Sequence, residues 1–109
     1  MSRPYSVGNI LNTTAEVLVY TVPVGYYAKW NLCYAVNHSG NNKTIDVSWY
    51  DSSENATYYV LDNYLLSPAG FVKFDGGAYV VLEEGDQVKA QAELDSIFHL
   101  INTFELVRK

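Results

Sequence analysis

The 109-residue sequence has little of what most site-based functions require. Its single cysteine, Cys33, excludes an internal disulfide and a multi-cysteine metal site. Its two histidines, His38 and His99, match no zinc-binding spacing. No apolar run approaches the roughly 18 residues of a membrane span. The N-terminal M-S-R-P-Y-S-V lacks the apolar core of a signal peptide, so we expect no membrane partner.

Positive charge is also scarce. The sequence has 7 Lys and Arg against 12 Asp and Glu, which gives a formal net charge of -5, and the cations are scattered along the chain. Proteins that bind the nucleic-acid backbone need clustered positive charge. The sequence therefore predicts no nucleic-acid partner.

Residues for catalysis are not grouped in the sequence. A hydrolytic triad needs a serine or cysteine, a histidine and a carboxylate brought together. His38 lies in a predicted turn, and His99 lies in the last predicted strand on the face opposite Phe98 and Leu100. No histidine is near Cys33 in sequence, so we interpret this cysteine as a filler rather than a nucleophile. We predict no catalytic residues and no enzymatic activity.

Acidic residues gather in predicted turns, where oxygen ligands can hold calcium. None of these turns has the D-x-D-x-D-G pattern, so we interpret the carboxylates as solubilising residues and predict no metal and no cofactor. They are Asp51, Glu54, Asp75, Glu83, Glu84 and Asp86. Four N-x-[ST] sequences resemble glycosylation sites, but we interpret their asparagines as turn residues. These are Asn12, Asn37, Asn42 and Asn55.

The chain is rich in alternating apolar and polar residues, the pattern of strands with one buried face. The clearest example runs from Tyr26 to Asp51 and has turn-forming residues at 38–42. We interpret it as a long β-hairpin with both tryptophans on its buried side. The alternation places an apolar series on that side before the turn, namely Tyr26, Ala28, Trp30, Leu32, Tyr34 and Val36.

The rest of the chain repeats this organisation of strand and turn. Turn signals recur every eight to twelve residues, the spacing of an antiparallel sandwich or barrel. A turn is predicted at Pro23-Val24-Gly25, and Phe98, Leu100, Phe104 and Leu106 share one face of the last strand, which Asn102 interrupts. We predict one all-β domain over residues 1–109, an antiparallel two-sheet sandwich of jelly-roll-like topology with about eight to nine strands.

Aromatic residues make up 15% of the chain and include 10 tyrosines, more than one small core can hide. In the doublets Tyr26-Tyr27, Trp49-Tyr50 and Tyr58-Tyr59, alternation sends one ring inward and one outward. Exposed rings serve either subunit contacts or sugar stacking. We favour subunit contacts. The interface candidates are Tyr27, Tyr50, Tyr58, Tyr59 and Tyr64.

Four stretches of the sequence together resemble small β-sandwich virion proteins of tailed bacteriophages. These stretches are Val19–Gly25 (V-Y-T-V-P-V-G), Ala35–Asn37 (A-V-N), Ile45–Asp51 (I-D-V-S-W-Y-D) and Val81–Ala90 (V-L-E-E-G-D-Q-V-K-A). The likeness covers nearly the whole chain, and each motif is a strand plus a turn without catalytic chemistry. The sequence departs from the pattern in its tyrosine density.

The resemblance implies a structural role on the capsid, neck or tail and transfers no catalytic residue. The function that we predict is a non-enzymatic capsid decoration (cement) protein. It implies a homo-oligomer, with a trimer favoured, that contacts the major capsid protein or other virion proteins. The implied location is the virion, assembled in the bacterial host cytoplasm. The alternative function is a glycan-binding or host-recognition module of a phage tail or neck.

Overall fold

The computed structural model describes the backbone of residues 2–74 and 80–109 and the side chains of residues 4–74 and 80–109. The described residues form nine strands joined by turns and loops, which confirms the all-β prediction. The strands are β1 (Ser2–Leu11), β2 (Val17–Thr21), β3 (Tyr26–Asn37), β4 (Lys43–Asp51), β5 (Ala56–Leu66), β6 (Phe71–Phe74), β7 (Val80–Leu82), β8 (Gln87–Ala92) and β9 (Phe98–Arg108). The turn predicted around Asp75 lies outside the described residues.

The strands form two antiparallel sheets. Sheet 1 has the order β1-β9-β3-β6, with β7 also paired to β3, and sheet 2 has the order β2-β8-β4-β5. Strands β1 to β4 alternate between the two sheets, and the last strand returns beside the first. This is the connectivity of a jelly roll, and the predicted two-sheet sandwich is confirmed.

The predicted long hairpin is wrong. Strands β3 and β4 belong to different sheets, and β3 pairs with β9, β6 and β7 instead. Residues 38–42 therefore carry the chain from one sheet to the other, because turn-forming residues suit a crossing between layers as well as a tight reversal. The buried side of both tryptophans was predicted correctly. Trp30 is fully buried, and Trp49 is half-buried against the core.

A bulge in β3 reverses its predicted faces. The pairing with β9 shifts between Trp30 and Leu32, so Asn31 is the extra residue. After the bulge the buried side chains are Cys33, Ala35 and Asn37. The prediction that Leu32, Tyr34 and Val36 lie on the buried face is therefore wrong. These three side chains are turned to the outer face of sheet 1 and are half-buried.

The core fills the space between the sheets, and its largest side chains are Trp30, Phe98 and Phe104. Phe98, Leu100 and Phe104 lie on one buried face of β9, as predicted. Asn102 interrupts this face and is buried because its Oδ1 accepts a hydrogen bond of 2.9 Å from Trp30 Nε1. The polar atom of the largest core side chain is thereby satisfied.

The turn predicted at Pro23-Val24-Gly25 is confirmed. Tyr26 N donates to Pro23 O at 3.3 Å, and Gly25 has a φ of 88°. A positive φ at the third residue of the turn is what a type II turn requires, and glycine adopts it without steric cost.

Candidate functional site

The structure divides the five predicted contact tyrosines between the two sheets. Tyr27 lies on the outer face of sheet 1, where it pairs with Val107, and it is half-buried. The other four lie on β4 and β5 of sheet 2, namely Tyr50, Tyr58, Tyr59 and Tyr64. Tyr27 therefore does not share a surface with the rest.

The tyrosine doublet of β5 alternates as predicted, but both of its rings are exposed. Tyr58 pairs with the inward Trp49, and their ring centroids are 5.2 Å apart. Tyr59 pairs with Ser48 on the outer face. Tyr58 is 51% exposed and Tyr59 is 58% exposed, because β5 is an edge strand and the opposite sheet does not cover it fully.

The outer face of sheet 2 is polar around two tyrosine rings. Lys89 Nζ lies 5.1 Å from the centroid of the Tyr50 ring and 3.8 Å from Glu16 Oε1. The Tyr50 hydroxyl donates to Asn55 Oδ1 at 2.6 Å. We call this surface the sheet-2 face; its residues are Asp46, Tyr50, Tyr59, Gln87 and Lys89.

At one end, the outer face of sheet 1 has apolar side chains on all four strands, with His99 and Lys73 among them. The register aligns Ile10, His99, Val36 and Phe71 in one row from β1 to β6. The next row contains Ile101, Tyr34 and Lys73. Ile10 is 65% exposed, Phe71 is 57% exposed and Ile101 is 41% exposed. We call this surface the sheet-1 patch; its apolar residues are Ile10, Tyr34, Val36, Phe71 and Ile101.

Two pairs of stacked rings lie at the sheet-1 patch. Tyr34 stacks on Phe71 with a centroid distance of 5.5 Å and an interplanar angle of 17°. His38 stacks on His99 with a centroid distance of 4.6 Å and an angle of 26°. Stacked rings lose little rotamer entropy when a partner covers them, so this surface suits a contact.

The sequence interpretation missed the sheet-1 patch. Strict alternation assigned Tyr34 and Val36 to the core, and the Asn31 bulge moves them outward. The exposed Phe71 and Ile101 carried no signal of their own, because a single apolar residue in a strand is ambiguous between burial and contact. After Asn31 the odd positions Cys33 and Ala35 are apolar as well as the even ones, and this is the local sign of the bulge in the sequence.

Asn37 connects the elements beside the sheet-1 patch. Its Nδ2 donates to Leu66 O at 2.9 Å and to Asn41 O at 2.8 Å, and its Oδ1 accepts from Ser39 N at 2.9 Å. Its backbone N–H donates to Gly70 O at 2.9 Å. The backbone bond holds the start of β6 and thereby the position of Phe71, and the side-chain bonds hold the end of β5 and residues 39–41. The side chain is buried and Asn37 is the last residue of β3 rather than a turn residue, so it is not an accessible glycosylation site.

Asp86 has the same role at the opposite end of the sandwich. Its carboxylate accepts hydrogen bonds from Trp49 Nε1 (3.0 Å), Glu83 N (2.9 Å), Ser52 N (3.0 Å) and Ser52 Oγ (3.1 Å). The side chain is fully buried, so its interpretation as a solubilising residue is wrong. A buried carboxylate is stable only when donors surround it, and here four donors join two turns.

The described residues offer little for catalysis. Cys33 lies in the core, and burial raises the pKa of its thiol from 9.0 to about 12, so it stays protonated at neutral pH. Among the described residues, no three His, Cys, Asp or Glu side chains form a group that could hold a metal ion. None of the described elements is a helix of the length and apolarity needed to cross a membrane.

An open cleft separates the two sheets at the edge formed by β1 and β2. Its volume is about 430 Å³, and its lining residues are Tyr5, Tyr20, Thr21, Pro23 and Leu106. The Tyr5 and Tyr20 rings meet edge to face at 5.5 Å, and Tyr20 stacks on Phe104 at 4.4 Å. None of the described lining residues is charged, so this part of the cleft suits an apolar group.

No family model and no curated protein matches this chain. Solved structures with the same fold do match. A chain of the acidic stable capsid of Helicobacter pylori bacteriophage KHP30 has a TM-score of 0.60 at 12% identity, and the match covers 100% of this chain and 95% of that one. The Drosophila NLP core, whose structure concerns pentamer formation and histone binding, has a TM-score of 0.60 at 13% identity, with coverages of 98% and 100%.

A third similar structure is a pentameric capsid protein isolated from metagenomic phage sequences. Its TM-score is 0.51 at 16% identity, and the match covers 90% of this chain and 59% of that one. At such identities the similarity establishes the fold alone, and proteins with this fold include phage capsid proteins and the Drosophila NLP core. The chain is therefore a jelly-roll sandwich of the kind found in phage capsids, and its function has to be argued from its surfaces.

Proposed function

We propose that this chain is a non-enzymatic structural protein of a bacteriophage virion and that it acts through contacts between subunits. The observation that carries the proposal is the sheet-1 patch. An antiparallel sheet that faces water usually has polar residues on that face. A continuous apolar area in their place marks a contact with another protein. The similarity to phage capsid chains supports the virion as the setting.

Within the virion, the proposed role is that of a capsid decoration (cement) protein on the major capsid protein. A symmetric oligomer held together by the sheet-1 patch places several copies of the chain side by side, so weak single contacts with the major capsid protein add up on a capsid lattice. We propose a trimer, on the sequence resemblance to phage virion proteins. In this proposal the protein is located in the virion after assembly in the bacterial host cytoplasm.

Light scattering on the purified chain, followed by binding to capsids of the source phage, tests this function. We expect an oligomer at tens of micromolar and saturable capsid binding. A measured mass of five chains would correct the proposed trimer but leave the contact role intact. A strict monomer that does not bind capsids would contradict the proposal.

A second candidate function is glycan binding at the sheet-2 face. Tyr59 is open there, and the polar side chains of Gln87 and Lys89 flank the Tyr50 ring. Sugar sites combine an exposed ring for stacking with polar groups for the hydroxyls.

A glycan array with the wild-type chain tests the second candidate. Binding that Tyr59→Ala removes and Phe71→Ala keeps would support glycan recognition by the sheet-2 face. An array without hits would remove this candidate and leave the virion role unaffected.

A further inference from the structure

Strand β1 forms an open and regular edge of sheet 1. All ten of its residues pair with β9 in one continuous register, and no other strand pairs with it. Among the described residues, no turn or loop donates a backbone hydrogen bond to residues 6–11 or accepts one from them. Such an edge presents a row of backbone N–H and C=O groups that can pair with an added strand.

The other described edges are interrupted. The pairing of β5 shifts at two places, and the pairing of β2 shifts between Leu18 and Tyr20. Strands β6 and β7 are only 4 and 3 residues long. Bulges and short strands are the usual protection against pairing with another chain. In β1 the one such feature is Pro4, which stands near the beginning of the strand and leaves the rest open.

Charge distinguishes the edge of the sandwich formed by β1 and β2 from the edge formed by β5 and β6. Charged side chains on edge strands prevent pairing with other chains, and Asp62 in β5 and Lys73 in β6 provide them. Strand β1 has no charged residue after Arg3, and β2 has none from Val17 to Thr21. Residues 4–11 of β1 and 17–21 of β2 are uncharged, so this edge of the sandwich suits an uncharged segment.

The aromatic cleft opens beside β1 and supplies a place for one side chain. A strand added to β1 would alternate its side chains between the inner side, where the cleft lies, and the outer side of sheet 1. The cleft volume of about 430 Å³ lies within the range of ligand-binding sites, and the lining residues that the structure describes carry no charge. A bulky apolar side chain fits this lining best.

A second copy of this chain is a poor occupant of the cleft. It would present its own β1, whose inward side chains already pack against its own core: Leu11 is 2% exposed, and Tyr5 and Val7 pack on the core cluster. A segment that is not part of a sandwich has both alternating sets of side chains available. The occupant is therefore a free extended segment.

We propose that β1 and the adjacent cleft bind an uncharged, extended segment of a partner protein as an added strand, with one bulky apolar side chain in the cleft against the Tyr5 and Tyr20 rings. Backbone hydrogen bonds to β1 supply part of the affinity, and the cleft selects the sequence. This site lies at the edge of the sandwich and is separate from the apolar rings of the proposed subunit contact.

The test is a selection of random ten-residue peptides, matched to the length of β1, on the immobilised full chain. We expect enriched peptides that share one bulky apolar residue and lack charge on its neighbours. Hydrogen exchange of the wild-type chain with a selected peptide should show increased protection in residues 2–11. This readout needs no variant and is independent of any change in folding.

Leu106→Trp, which fills the cleft with the protein's own side chain, gives the matched variant. It should weaken the selected peptide at least about tenfold. Leu61→Trp is the control, because Leu61 is also a half-buried leucine packed on the core, but it lies in β5 at the other edge. This change should leave peptide binding unchanged, and both variants are compared only after thermal unfolding shows that they fold.

Three outcomes would overturn the proposal. They are a selection without enrichment, peptides that protect a region other than β1, and protection of β1 by the chain's own self-association without peptide. Phe71→Asp distinguishes this proposal from the proposed subunit contact, because it alters the sheet-1 patch and leaves the cleft intact.

Discussion

The outer face of sheet 1 exposes Ile10, Phe71 and Ile101 within two adjacent rows, whereas the exposed Leu18, Tyr59 and Leu65 of sheet 2 lie among Asp46, Gln87 and Lys89. Both sheets follow the same alternation, and both turn their other face to one common core. On sheet 2 the polar residues separate the apolar ones, as in a water-facing antiparallel sheet. Sheet 1 departs from this at one end only, so the fold alone does not dictate its apolar surface. In our proposal, a contact with another protein explains that surface.

Asp86 and Asn37 stabilise opposite ends of the sandwich, and only the Asn37 end lies beside the sheet-1 patch. Substitutions at the two residues should therefore differ in their effect on self-association. Asp86→Ala leaves several buried donors without an acceptor, and we expect it to lower the free energy of unfolding by about 3 kcal/mol. Asp86→Asn is the matched control, since it keeps one acceptor oxygen, and it should cost less. Urea unfolding at fixed pH measures both.

Asp86 lies at the end of β3 away from the sheet-1 patch, so self-association of the molecules that remain folded should be unchanged in Asp86→Ala. Asn37→Ala should weaken association as well as stability, because it removes the side-chain hydrogen bond to Leu66 O at the end of β5, and residues 67–70 lead from there to Phe71. Equal effects of the two substitutions on association would break the distinction between the two ends.

The apolar face is tested directly by Phe71→Asp, which places a charge in the proposed contact. We expect self-association to weaken about 100-fold, because a carboxylate buried without a partner is costly. The matched control is Tyr59→Asp on the sheet-2 face, where the ring is equally open and we expect less than about a twofold change. Sedimentation velocity over a concentration series measures both. The reverse order of effects would move the contact to sheet 2.

Lys89→Leu converts part of the polar face to an apolar one. It removes the cation that lies over the Tyr50 ring and leaves an apolar row with Leu18 and Tyr59. We expect a gain of about fivefold in self-association, since additional apolar area becomes available for burial. Association at the wild-type level would mean that the charge of Lys89 does not keep the sheet-2 face free.

The smallest effect on stability is expected at Cys33, whose side chain is buried on the inner face of sheet 1. Below pH 9 a thiol reagent should not modify the native protein, because burial raises the thiol pKa to about 12. Between pH 9.0 and about 12 the thiol ionises in the unfolded chain but not in the folded one, so this group lowers stability as pH rises. Mass spectrometry after labelling with and without urea checks the reactivity. Rapid native labelling in Phe71→Asp would mean that the substitution opens the core.

Much of the fold could be predicted from the sequence, because strand alternation and turn residues are local signals. The turn at Pro23 and the polar interruption by Asn102 are examples, and the latter proved to be the hydrogen-bond partner of Trp30. The pairing of β3 could not be predicted. Residues 38–42 suit a hairpin and a crossing between sheets equally well, and only the packing of the whole chain decides between them.

The candidate surfaces could be predicted less well than the fold. The Tyr58-Tyr59 doublet predicted one exposed ring, and the structure exposes both. The sheet-1 patch could not be predicted, because it depends on the Asn31 bulge, which reverses the faces of β3. Asp86 looked like any acidic turn residue, because the donors that surround it come from turns that are distant in sequence. Bulges and long-range hydrogen bonds are set by tertiary packing, and a local pattern does not contain them.

The most direct test is side-chain footprinting with hydroxyl radicals on the wild-type chain, at low concentration and in the assembled state. Our account predicts that Tyr34, Phe71 and Ile101 lose most of their labelling on assembly, while Tyr50 and Tyr59 keep theirs. Unchanged labelling of Phe71 and Ile101 in an oligomer, or protection confined to Tyr50 and Tyr59, would contradict it.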